Sequence, residues 1–163
     1  MTLSPALIKA FIIFPLNVMG VIPAFILWYE GKFKLHQLEV VTAISGGVLV
    51  ACGLVICWVT VSLFTDHGEG TPAPFAPPKK LVVIGFYRYM RNPMMSGVWC
   101  VLTGEAIFFK SPGIALWFMI FFAGCMALIP LWEEPALEKR FGESYREYKK
   151  KVPRWIPRLT ALL

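Results

Sequence analysis

The sequence predicts an all-α, polytopic membrane protein with about four transmembrane helices and a C-terminal amphipathic helix on the cytosolic side. Hydrophobic residues occupy 57% of the 163 positions, whereas charged residues occupy only 16%. The apolar residues are concentrated in four stretches, and residues 133–163 are polar with a helical repeat. A soluble domain of this size would not tolerate so much apolar surface, so residues 1–163 are expected to form one membrane domain.

The first two spans are predicted within residues 1–64, at Leu7–Tyr29 and Val40–Phe64. Prolines interrupt the first span, so we expect it to be kinked. It lacks a basic region and a small-residue cleavage site, which favours a retained span over a signal peptide. The second span carries no charge, and its glycines at Ser45–Gly47 and Gly53 favour close helix packing.

Residues 65–92 are predicted to form a cytosolic loop that ends in a distinctive motif. The loop begins with a stretch rich in glycine and proline, in which His67, Asp66 and Glu69 lack a fourth ligand for a metal site. The motif at 85–97 reads GFYRYMRNPMMSG. Pro93 lacks a backbone N–H and biases the residue before it away from helix, so a helix is predicted to begin there, after a turn or short helix.

The third and fourth spans form a predicted hairpin over residues 93–132. The spans are Pro93–Phe109 and Ile114–Trp132, joined by a tight turn at residues 110–113. Glu105 lies inside the third span, where an acidic residue is a functional candidate, although its proximity to the turn favours an interfacial position. The four cysteines all lie in apolar stretches without a CxxC pair, which is typical of small buried hydrophobic residues.

A cytosolic amphipathic helix is predicted after residue 132, because apolar and aromatic residues recur there every three to five positions. Prolines on either side of Glu133-Glu134 predict a break or kink between the fourth span and this helix. Arg154, Trp155 and Arg158 are expected to be interfacial anchors.

The distribution of positive charge predicts the orientation. With four spans, thirteen lysine and arginine residues fall on the side of the termini and the 65–92 loop, against three on the other side. This asymmetry predicts that both termini face the cytosol, with a prokaryotic inner membrane as the favoured host. The net charge of +6 is therefore interpreted as contact with membrane lipids, and not as nucleic-acid binding.

The motif and the acidic pair should meet at the cytosolic face, since they flank the two ends of the hairpin. The start of the third span offers free N–H groups suited to a carboxylate. Glu133 and Glu134 point roughly 100° apart on a helix, so one of them could hold ribose hydroxyls or an amino group. The pair could equally favour a helix start beside Pro135, and the chemistry alone leaves both interpretations open.

The two motifs together resemble the isoprenylcysteine carboxyl methyltransferase family, whose wider relatives are the phospholipid N-methyltransferases. The matching stretches are GFYRYMRNPMMSG and, about 35 residues on, EEPALEKRFGESYREYKKKVPRWIPR, within residues 77–158. The resemblance implies S-adenosylmethionine as methyl donor and a hydrophobic or lipid-like acceptor that enters from the bilayer. The residues implied in cofactor binding are Leu81, Val82, Tyr87, Arg88, Asn92, Pro93, Met94, Met95 and Glu133. The candidate catalytic residues are Glu133, Glu134 and Arg91.

Three positions depart from the family pattern. Asn92 removes any proton-transfer role at that position, and Met95 replaces a tyrosine. Ile129 replaces an arginine that is implied in holding a prenylcysteine carboxylate, so another lipid-like acceptor is expected. A non-catalytic lipid-binding or scaffolding protein is the main alternative, and a membrane reductase is a lesser one. The sequence leaves the acceptor and the oligomeric state open.

Overall fold

The computed structural model describes residues 12–33, 39–68 and 79–162, and the regular elements within these ranges are all helical. The α-helices in chain order are α1 (Ile22–Tyr29), α2 (Val40–His67), α3 (Pro93–Phe108), α4 (Pro112–Leu128), α5 (Glu134–Phe141) and α6 (Glu143–Lys151). A π-helical segment, Ile12–Val21, leads into α1, and a second one, Ile129–Glu133, joins α4 to α5. A 3-10 helix at Gly85–Arg88 precedes α3.

The chain forms two compact units. The first comprises Met1–Val55 and Gly97–Phe122, and the second comprises Ile56–Ser96 and Ala123–Leu163. The second unit contains residues 85–96 of the motif, the acidic pair and the C-terminal residues that the sequence singles out.

Two helices are long and apolar enough to cross a membrane. They are Val40–Leu63 and Pro112–Phe141, and only 17% of an 18-residue apolar stretch in each helix is buried within the protein. Pro15–Tyr29 and Pro93–Phe108 are shorter apolar helices. The prediction of an all-helical chain is confirmed for the described residues, and two of the four predicted spans have membrane-spanning length.

Glycines bring α2 and α3 into close contact within the first unit. A Cβ atom on Gly46 would lie 2.6 Å from the carbonyl oxygen of Gly104, and one on Gly53 would lie 2.5 Å from that of Gly97. The predicted packing role of Gly46 and Gly53 is therefore confirmed. Among the described residues, Gly47 has no heavy atom within 4 Å of its Cβ position, so it takes no part in this contact.

Glu30 connects the end of α1 to the start of α4 in the same unit. Its carboxylate accepts hydrogen bonds from the Ser111 hydroxyl at 2.6 Å and from the Gly113 N–H at 2.7 Å. Burial raises the pKa of Glu30, but these hydrogen bonds and the nearby Lys32 ammonium outweigh it and hold the pKa below its usual value. A carboxylate at this position also satisfies N–H groups at a helix start.

The helix boundaries differ from the prediction at three places. The helix α2 continues to His67, three residues into the predicted loop. Of the predicted break or kink after the fourth span, the break is absent, because the span passes into α5 through the π-helical segment. The single amphipathic helix predicted after residue 132 is wrong, because Gly142 adopts a φ of +58° and divides it into α5 and α6. Residues 7–11 of the first predicted span and residues 69–78 of the loop, including Glu69, lie outside the described residues.

Candidate functional site

The turn before α3 depends on a glycine. Gly85 opens the 3-10 helix with a φ of +54°, a conformation that side chains with a Cβ rarely adopt. A Cβ there would also lie 2.7 Å from Cδ1 of Leu63. The first residue of the motif therefore fits the turn only as glycine.

The helix α3 begins at Pro93, as the sequence predicts. The carbonyl of Asn92 accepts hydrogen bonds from the backbone N–H of Ser96 at 3.3 Å and from its hydroxyl at 3.4 Å. Pro93 is buried and Asn92 is half-buried. The first turn of α3 is therefore held to Asn92 by the side chain and backbone of a single serine, and these two bonds do not use the N–H groups of Met94 and Met95.

Two tyrosines of α6 lie in a buried cluster beside the motif, and one of them donates a hydrogen bond to it. Tyr145 and Tyr148 form a buried cluster with Val152, and the Tyr148 hydroxyl donates a 2.7 Å hydrogen bond to the carbonyl of Tyr87. Burial raises the pKa of Tyr145 to about 12 and raises the pKa of Tyr148 as well. Both phenols are therefore protonated at neutral pH, and that of Tyr148 is a hydrogen-bond donor.

Glu134 is the centre of an ion cluster. It is 1% exposed, and Arg154 binds it through two hydrogen bonds, from Nε to Oε1 at 2.7 Å and from Nη2 to Oε2 at 2.9 Å. Lys149 lies 3.4 Å from Oε2, and Arg91 Nη1 lies 3.0 Å from Oε1. A buried carboxylate is stable only when it is paired in this way.

Arg91 links the motif to the acidic pair, which brings the two ends of the predicted hairpin together. Its side chain is 8% exposed and also lies beside the phenol of Tyr145. Among the described residues, its Nε and Nη1 atoms have no hydrogen-bond partner, so the contact with Glu134 is a charge pair without hydrogen-bond alignment.

Glu133 differs from its neighbour in exposure. Glu133 as a residue is exposed, whereas Glu134 is buried. The atoms around its carboxyl group nevertheless raise the pKa of Glu133 above its usual value, through burial first and the neighbouring Glu134 carboxylate second. Burial is the first cause that raises the pKa of the Tyr87 phenol, followed by Tyr148 and then by the carboxylate of Glu133. Glu133 therefore lies near the motif tyrosine and is the acidic side chain of the pair that a ligand can reach.

The other predicted cofactor residues surround the same turn. Val82 is buried and Leu81 is half-buried against the tyrosine cluster, while Arg88 donates from Nε to the carbonyl of Leu162. The carbonyl of Met94 accepts from the Cys57 thiol at 3.7 Å. Met95 Sδ lies 4.0 Å from the sulfur of Cys125.

Arg154, which the sequence predicts to be an interfacial anchor, binds Glu134 through its guanidinium, a contact that the sequence did not indicate. The two residues are 20 positions apart, and no sequence spacing pairs them. The only hint in the sequence was the position of Arg154, directly after the Val152-Pro153 pair of the second matching stretch.

Glu105 belongs to the first unit, and its Oε2 has no hydrogen-bond partner among the described residues.

The comparison with protein families agrees with the resemblance seen in the sequence. The model of the phospholipid methyltransferase family matches residues 41–144, more than half of the chain and including both the motif and the acidic pair. Neither the curated proteins nor the solved structures gave a match. The chain belongs to the phospholipid methyltransferase family.

Proposed function

We propose that this protein transfers a methyl group from S-adenosylmethionine to a hydrophobic or lipid-like acceptor at the cytosolic face of a membrane. Its family supports a methyltransferase. The observation that carries the finer proposal is the exposed residue Glu133, whose carboxylate lies near Tyr87, beside a motif that Arg91 joins to Glu134. These residues derive from the two motifs on which the resemblance rests.

The membrane location is supported by the exposed apolar faces of the long helices. Large side chains such as Trp58 on α2 and Leu116 on α4 are 63% and 62% exposed. The core helix of a soluble protein would be mostly buried, whereas lipid tails cover such side chains at no hydrophobic penalty. We propose four spans with both termini in the cytosol of a prokaryotic inner membrane and an amphipathic C-terminal region, as the distribution of lysine and arginine predicts.

The chemistry of the candidate residues fits the methyl donor. The Glu133 carboxylate would accept hydrogen bonds from ribose hydroxyls or from the amino group. The N–H groups at the start of α3, at Met94 and Met95, would receive the donor's carboxylate. Leu81 and the two methionine side chains offer apolar surface for the adenine ring, and Asn92 would supply an amide at the edge of the site.

The bound donor supplies a methyl group on a positively charged sulfur. The protein's task is then to hold the acceptor in line with that methyl and to exclude water. The phenols of Tyr145 and Tyr148 stay protonated, and Glu134 is occupied by its cations. Among the described residues of the acidic pair, Glu133 is the carboxylate left to remove a proton, and it is also assigned to the donor. We therefore propose an acceptor that is anionic or readily deprotonated.

Titration calorimetry in detergent tests donor binding. Glu133→Gln should weaken S-adenosylmethionine binding by about tenfold or more, because a charge-assisted hydrogen bond is lost. Glu143→Gln is the matched control, since Glu143 is exposed and bound to Arg146 on α6. Equal affinity of the Glu133→Gln variant and the wild-type protein would contradict the assignment of Glu133.

Incubation of membrane extracts with labelled donor tests the reaction itself. Label should appear in a lipid fraction with the wild-type protein and decrease with Glu133→Gln. Donor binding without label in any lipid would favour a non-catalytic lipid-binding protein. Saturable binding of a reduced nicotinamide in place of the donor would favour a reductase.

A further inference from the structure

The C-terminal residues 152–162, here called the C-terminal strap, run antiparallel to the motif turn. Backbone hydrogen bonds join the two segments at three successive places, as residue numbers fall along the motif and rise along the strap. They are Arg91 N–H to Pro153 carbonyl at 2.9 Å, Arg158 N–H to Tyr89 carbonyl at 3.0 Å, and Leu162 N–H to Arg88 carbonyl at 3.1 Å. The strap therefore fixes the backbone of the turn that leads into α3.

Arg154 contacts both motifs from the strap. Its guanidinium holds the two oxygens of Glu134, and its carbonyl accepts a 3.4 Å hydrogen bond from Nδ2 of Asn92. Two parallel hydrogen bonds fix the carboxylate in orientation as well as in position. The exposed residue Glu133 directly precedes this carboxylate in the chain.

The strap is anchored at both of its ends. Val152 is 1% exposed in the tyrosine cluster, and Leu162 packs against that cluster. The strap lies beyond the family match, which ends at residue 144. Its contacts with the motif are therefore not among the features that the family match covers.

We propose that the C-terminal strap, through Arg154, positions Asn92 and Glu133 to bind the methyl donor. This inference rests on the proposed function. Arg154 acts as a positioning residue, because it reaches the donor only through the side chains that it holds. Linkage then requires the reverse effect: a donor that binds the ordered site better must stabilise the strap against opening.

Amide hydrogen exchange of the wild-type protein in detergent tests this reciprocity. S-adenosylhomocysteine is the probe, at about 100 times its dissociation constant, and peptides covering residues 88–92 and 154–162 are followed. If opening of the strap destroys the site, exchange of the Arg91, Arg158 and Leu162 amides should slow by up to about a hundredfold. Unchanged exchange in these peptides, with the ligand bound, would overturn the proposal.

Variants test the role of Arg154 separately. Arg154→Ala should weaken binding of S-adenosylhomocysteine by about tenfold or more. Arg154→Lys should weaken it less, because the lysine keeps the positive charge and one of the two hydrogen bonds to Glu134. Arg146→Ala is the matched control, as Arg146 is bound to Glu143 on the exposed face of α6.

Each outcome separates the proposals. Wild-type affinity in a folded Arg154→Ala protein would overturn the role of Arg154. If Arg154→Ala fails to fold, the exchange experiment on the wild-type protein still decides the proposal. A wild-type protein that binds neither S-adenosylmethionine nor its homocysteine product would overturn the proposed function itself and this inference with it.

Discussion

Glu133 and Glu134 are adjacent in sequence and should respond in opposite ways to the same substitution. Glu134 is 1% exposed and receives both Arg154 hydrogen bonds and the charge of Arg91. Glu134→Gln keeps the shape of the side chain but removes its charge, which leaves two guanidinium groups without their counter-ion. Glu133→Gln changes an exposed side chain.

The expected loss of stability for Glu134→Gln follows from the burial of its partners. Breaking a buried ion pair by removal of one partner costs about 3–5 kcal/mol. Arg91 is 8% exposed and meets this condition, whereas Arg154 is 31% exposed, and solvent screens its share. We therefore expect a loss of about 3 kcal/mol, at the lower end of the range. For a chain of this length, this corresponds to a fall in Tm of about 6–12 °C.

Thermal unfolding of the detergent-solubilised protein measures this difference. Glu134→Gln should lower Tm by that amount, while Glu133→Gln should change it by no more than about 1–2 °C, as exposed substitutions do. Equal Tm values for the two variants, or a larger loss in Glu133→Gln, would refute the assignment of Glu134 as the structural carboxylate and Glu133 as the accessible one.

Three further predictions concern packing, hydrogen bonding and pH. Gly46→Ala should destabilise the protein by about 1–3 kcal/mol, because the new methyl group would overlap the Gly104 carbonyl; the adjacent Gly47→Ala should not, and equal thermal stabilities would contradict the close packing. Tyr148→Phe should cost about 1–3 kcal/mol by removing the buried hydrogen bond to the Tyr87 carbonyl, whereas Tyr89→Phe, at an exposed ring, is the control that should retain its Tm. The pKa of Tyr145 is raised by burial to about 12, so the folded state holds its proton while the unfolded state loses it near pH 10. The resulting contribution to the free energy of unfolding is complete below pH 10 and is lost as the pH rises from about 10 to 12. In an absorbance titration at 295 nm, the Tyr145→Phe variant should lack one phenol that titrates late in the wild-type protein. An unchanged titration curve would contradict the assignment.

The sequence by itself determined the features that depend on local backbone chemistry and on hydropathy. Pro93 cannot donate a hydrogen bond and restricts the residue before it, so the start of α3 could be predicted to the residue. The apolar stretches predicted the long helices α2 and α4, and Gly46 and Gly53 predicted close helix packing on α2, although not that α3 is the partner. The two motifs also predicted the family that the family match shows.

Tertiary structure decided where the amphipathic region is divided and which acidic residue is buried. An apolar repeat continues across Gly142, and the repeat alone gives no reason for the positive φ that separates α5 from α6. Glu133 and Glu134 have the same chemistry, so the local sequence cannot show which of them is buried. Arg154 pairs with Glu134, 20 residues before it, because the strap runs back along the motif turn. A pairing between such distant segments leaves no periodic signal in the sequence.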